Sequence, residues 1–176
     1  AGFIWARGSG EGLRPAVISH GANSPRQDRP RFQLEFDWVG TIDYTAWLCV
    51  SDALQAMAGM APGGFPEVMA ANRRLALEAR ARVCSHLGVA APAPDDLIGA
   101  MVSIPFPPSS EAAKTPMDVD PLQLRLWSEH RVEVPIMTWP RAPSRLIRLS
   151  LQRYNTLEQV GVLCEALAAC GIGGKR

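Results

Sequence analysis

The sequence predicts an α/β fold, a two-layer sandwich with helices on one face of a small, largely antiparallel sheet. Three observations lead there. The second half reads helix–strand–helix–strand–strand–helix, an order that suits helices layered on a sheet. Two long stretches, about 66–87 and 156–170, read as helices that stop at Gly88 and Gly171. Three short apolar runs, 100–106, 132–139 and 146–151, have strand length.

Taken in order, the chain opens with Ala1-Gly2-Phe3-Ile4-Trp5-Ala6-Arg7, without a basic leader or an initiating Met. It does not read as a signal peptide; it reads as a strand entered in mid-course, so a piece of something longer is expected. A turn at Gly8–Gly12, a short strand at Pro15–Ser19 and a loop at 20–23 follow. Residues 24–31 are polar and broken by proline, hence exposed. Phe32, Leu34 and Phe36 then alternate with Gln33, Glu35 and Asp37, a strand signal. Gly40 breaks the run, since glycine accepts backbone turns that a side chain resists. Thr41 and Asp43 are candidate caps for a helix reaching about Met60, with Trp47, Val50, Leu54 and Met57 spaced three or four apart. Such a helix start attracts anions, phosphate especially, although an ordinary strand–turn–helix junction has the same residues.

Pro66 is well placed in the first turn of the next helix, whose apolar side is expected from Val68, Met69, Leu75, Leu77, Val83 and Leu87. Residues 90–94 form a proline-rich linker and 107–115 a loop, before a helix at about 120–130. Thr156 with Gln159 behind it forms a near capping box for the last helix. The tail 173–176 is expected to fray.

The chain has 176 residues, 47 % hydrophobic and 20 % charged, enough for one ordinary domain with a core. A net charge of +1 offers no field to draw in nucleic acid or a membrane surface. No apolar run reaches the roughly 18 residues a membrane span needs. Cys49, Cys84, Cys164 and Cys170 are widely spread and form no C-x-x-C pair, so neither a zinc site nor a thioredoxin-like centre is expected. Set among apolar helix positions, they read as small buried hydrophobes in a reducing, cytoplasmic protein. There are 16 arginines and two lysines, Lys114 and Lys175.

A series of residues carries a resemblance. Val17-Ile18-Ser19-His20-Gly21 comes first, then Phe36-Asp37-Trp38-Val39-Gly40-Thr41-Ile42-Asp43-Tyr44, then Asn72-Arg73. Met101 to Pro107, Arg148-Leu149-Ser150 and Tyr154-Asn155-Thr156 complete it. In order and spacing these resemble the C-terminal half of a pyridoxal-phosphate enzyme of the class V aminotransferase type (fold-type I), nearest its isopenicillin N epimerase-like branch. The resemblance implies the small C-terminal domain of such an enzyme. Residues 1–40 would be trailing strands of the large cofactor-binding domain, 41–62 an interdomain helix and 63–176 the small domain. It implies that Gly40 and Thr41 touch the phosphate of pyridoxal 5'-phosphate held by the other subunit of a homodimer. It also implies that Arg148 clamps the α-carboxylate of an amino-acid substrate, a task to which an arginine fork is suited.

The residues agree with that role for Arg148, which interrupts an apolar run where an unpaired charge is costly. An arginine on the solvent side of a half-exposed strand fits equally. His20 and Asn23 are candidate substrate-binding residues, with Asp43 and Asn155 as further pocket candidates, though each also suits a turn or a cap. A pyridoxal enzyme needs a lysine to hold its cofactor. Neither Lys114, in a loop, nor Lys175, in the tail, matches the family's position, so no catalytic residue is expected in this chain and it should be inactive alone. The family's cysteine desulfurases carry a cysteine shortly before the arginine strand; Val134-Pro135-Ile136 stand there instead, which leaves epimerisation or transamination. A free-standing α/β interaction module without catalysis is the competing reading.

Overall fold

The protein is described from a computed structural model, which covers every residue except Ala1, Ser9, Pro116, Met117, Lys175 and Arg176. The chain forms two compact units, residues 1–56 and 57–176.

In the second unit three antiparallel strands, β1 (Met101–Phe106), β2 (Ile136–Thr138) and β3 (Arg145–Ser150), form a sheet in the order β1-β3-β2. Val102 lies opposite Leu149, and Ile104 opposite Ile147. Every second residue is therefore buried, as the two-residue period of a strand requires. Against this face pack the helices α4 (Gly64–Leu87) and α6 (Leu157–Ala169), with Leu126 of α5 (Pro121–His130) completing the core. The unit is the expected two-layer α/β sandwich.

The face that α4 buries is a stripe of Val68, Asn72, Ala76, Ala79 and Val83, spaced at three and four residues. It differs from the predicted stripe: Met69 is exposed, while two alanines are fully buried. Hydrophobic bulk pointed to the leucines, whereas small side chains let a helix lie close on a sheet. The helix ends as expected, with Gly88 at φ 69°, its N–H on Ser85 O and the Val89 N–H on Cys84 O. At the start of α6 both halves of the Thr156–Gln159 capping box form. The tail does not fray at Gly173 and Gly174: the Gly174 N–H donates to His86 O at 3.1 Å, and a ring nitrogen of His86 lies 3.0 Å from Ile172 O. Its last two residues lie outside the described residues.

The first unit corrects several expectations. Among its described residues there is no strand. The alternating run becomes a helix, α1 (Arg31–Phe36), in which Phe32 and Phe36 meet one turn apart with ring centroids 4.6 Å apart. A five-residue alternation also satisfies the i, i+4 rule, and among the described residues no strand pairs with this segment. The helix expected from Asp43 to Met60 is replaced by α2 (Thr45–Leu48) and α3 (Val50–Ala58), interrupted at Cys49. Trp47, Val50 and Leu54 are exposed, as is Cys49, which is no buried hydrophobe.

Candidate functional site

In the second unit β2 pairs with β3 only across Arg145, Leu146 and Ile147. Beyond them the 131–135 segment diverges from the end of β3, held by one bond from the Arg148 N–H to Pro135 O at 3.1 Å. The gap is an open cleft of about 540 Å³, bounded by 131–135, by 148–151 and by the first turns of α6. A cleft of that size accommodates a small organic ligand.

Arg148 lines it. Strand alternation sets Arg148 off the core face that Ile147 and Leu149 occupy, opposite Ser103 on β1. Its guanidinium has no hydrogen bond or ion pair among the described residues, and its Nε is buried without a partner. A buried donor left unpaired costs about 1–3 kcal/mol. Asn155 also lines the cleft, but its Oδ1 accepts from the Gln152 N–H at 2.9 Å and its Nδ2 donates to Gln159 Oε1 at 3.1 Å. Arg131, on the rim, holds the left-handed conformation at the end of α5 (φ 59°, ψ 29°).

Gly40 and Thr41 lie in the first unit, in the loop before α2. Gly40 has φ 133°, a backbone that side chains resist. The loop is braced by Trp38 stacked on Tyr44 (centroids 4.9 Å apart) and by the Tyr44 hydroxyl on Gly40 O at 3.3 Å. Thr41 is exposed and does not cap the helix, which starts four residues later. Asp43 turns its carboxylate on the N–H (2.9 Å) and hydroxyl (2.5 Å) of Thr45 instead. Those hydrogen bonds hold the Asp43 carboxyl below its ordinary pKa. The N–H groups of Gly40 and Thr41 and the Thr41 hydroxyl have no partner among the described residues. The N–H groups of Ile42, Asp43 and Tyr44 in the same loop also lack a partner among the described residues.

His20 and Asn23 are exposed members of a short 3-10 turn, and the His20 N–H donates to Trp38 O at 2.8 Å. Between them Gly21 is required by space, because a Cβ there would collide with the Leu34 carbonyl oxygen. Ser19, expected to end a short strand, is instead the buried cap of this turn. Its Oγ accepts from Gly21 N (3.0 Å) and Trp38 N (2.8 Å), fastening the turn to the segment before Gly40.

An isopenicillin N epimerase from Amycolatopsis lactamdurans is 34 % identical over 94 % of this chain, and one from Streptomyces clavuligerus 30 % identical over 96 %. The chain is thus similar to isopenicillin N epimerases along nearly its whole length. It spans about 42 % of the length of those two relatives and matches their C-terminal part. A probable chloroplastic L-cysteine desulfhydrase of Arabidopsis thaliana is 27 % identical over 76 % of the chain, which covers 29 % of that protein. No family model matches the sequence.

Two residues of the series that carries the resemblance, Asn72 and Arg73, join elements of the second unit. Asn72 donates to Gln152 Oε1 at 2.7 Å, joining α4 to the loop below the cleft. Arg73 reaches Ile98 O (3.1 Å) and Asp95 O (2.7 Å). Lys114 is exposed in the 107–115 loop and is not part of the cleft lining.

Proposed function

We propose that this chain is the substrate-gripping part of a pyridoxal-phosphate enzyme that acts at the Cα of an amino acid, of epimerase or aminotransferase type. The supporting observation is the unpaired guanidinium of Arg148 in an open cleft. A planar fork with free N–H donors suits a carboxylate. By holding the α-carboxylate, Arg148 orients the Cα–H bond towards the reacting centre. Pyridoxal phosphate, when bound, draws electrons away from the substrate Cα. Gly40 and Thr41 would donate to its phosphate across a homodimer interface. The lysine that holds the cofactor and moves the proton would come from the part of the enzyme outside this chain, so the chain alone is inactive. We place the enzyme in the cytoplasm.

The relative named a desulfhydrase supports a second reading, a lyase acting on a small thiol amino acid. Both readings share the carboxylate grip, so one test addresses it. In the full-length cofactor-loaded enzyme, Arg148→Ala should weaken amino-acid binding about 10- to 100-fold and leave the cofactor's absorption unchanged. Equal amino-acid affinity in a spectral titration refutes the role of Arg148.

A further inference from the structure

We propose that Gln159 is a second carboxylate-binding residue of the cleft, its side-chain N–H donors meeting the same anion as Arg148; the proposal rests on the carboxylate reading of that cleft. Gln159 lies in the first turn of α6 and lines the cleft beside Asn155. Its Oε1 receives the Thr156 backbone N–H at 3.1 Å and Asn155 Nδ2 at 3.1 Å. A backbone N–H can only donate, so the atom facing Thr156 is the oxygen and the amide cannot be turned over. Asn155 is fixed in the same way, because its Oδ1 receives the backbone N–H of Gln152.

Two amides in series thus have one polarity, and the series ends on Nε2 of Gln159, which has no acceptor among the described residues. The cleft therefore presents two kinds of uncommitted donor, a charged fork and a neutral amide. A carboxylate has two oxygens and about four acceptor sites, enough for both. Arg148 supplies charge, which any anion satisfies. The Gln159 amide adds a second direction of donation, which fixes how the carboxylate is turned and so where Cα points. A carboxamide in the same place would set its own NH2 against these donors.

The test compares an amino acid with its carboxamide in the full-length, cofactor-loaded enzyme, by spectral titration. Gln159→Glu keeps an oxygen for the Thr156 N–H, and so the cap, but replaces the donor with an acceptor. It should lower affinity for the amino acid about 10-fold or more without lowering affinity for the carboxamide. Gln159→Met removes the donors without adding charge and should reduce the same preference several-fold. A merely structural role would move both ligands together. Unchanged carboxylate-over-carboxamide preference in both variants overturns the proposal. If Arg148→Ala still weakens binding in that assay, the cleft reading stands without Gln159; if it does not, that reading falls too.

Discussion

Arg145 and Arg148 stand three residues apart on one strand and meet opposite environments. Arg145 is buried and donates from Nη1 to both oxygens of the fully buried Asp120 at 3.0 and 3.1 Å. It also donates to Pro107 O at 2.9 Å and lies 5.1 Å from the centre of the Phe106 ring. Arg148 has none of this. The odd spacing puts the two on different faces of the strand, one a structural anchor and the other a free donor.

Breaking the anchor should therefore be costly. Arg145→Ala leaves the Asp120 carboxylate buried and unpaired, and should cost about 3–5 kcal/mol in urea unfolding. A loss within about 0.5 kcal/mol, the range of ordinary surface changes, would show that the pair is not buried as described.

Arg148→Met should behave in the opposite way. It removes a buried unsatisfied Nε and keeps the stem's bulk, so stability should hold within about 0.5 kcal/mol or rise by about 1 kcal/mol. A stability loss like that of Arg145→Ala would mean that the guanidinium has a structural partner.

Arg131 offers a separate stability test. Its left-handed conformation at the end of α5 is one that glycine adopts without strain. Arg131→Gly is expected to raise stability by about 0.5–1 kcal/mol. A loss of stability would mean that the Arg131 side chain contributes more than its backbone strain costs.

The Asp43–Thr45 contact predicts a pH response in the loop before α2. The Asp43 carboxyl titrates below its ordinary value because Thr45 donates to it. Its folded pKa is depressed, so its contribution is present above the unfolded value of about 3.9. That contribution is lost as pH falls through the folded value. Carbon-detected NMR should show the Asp43 midpoint below that of a free aspartate, and Thr45→Val should move it upward. No movement on removing the hydroxyl would dismiss the side-chain bond.

The order of elements in the second unit was legible in the sequence because its signals are local. Gly88 in the left-handed conformation and Thr156 with Gln159 each act within one turn of chain. β1 and β3 showed as short apolar runs of strand length, and the structure decided which alternate residues are buried. Arg148 stood out for the same reason, as a charge in an apolar run. The α1 segment was not legible, because five residues satisfy both periods and the choice depends on whether a neighbouring strand exists.

What only the tertiary structure decided is partnership. Asp120 and Arg145 are 25 residues apart, Asn72 and Gln152 are 80 apart, and nothing local links them. Nor could the sequence say which arginine of Arg145 and Arg148 is spent on a carboxylate of its own chain and which is left for a ligand. That follows from where β2 leaves β3: paired backbone closes over Arg145, and its divergence opens the cleft at Arg148. Charges are written in the sequence, but their neutralisation depends on distances that folding alone sets.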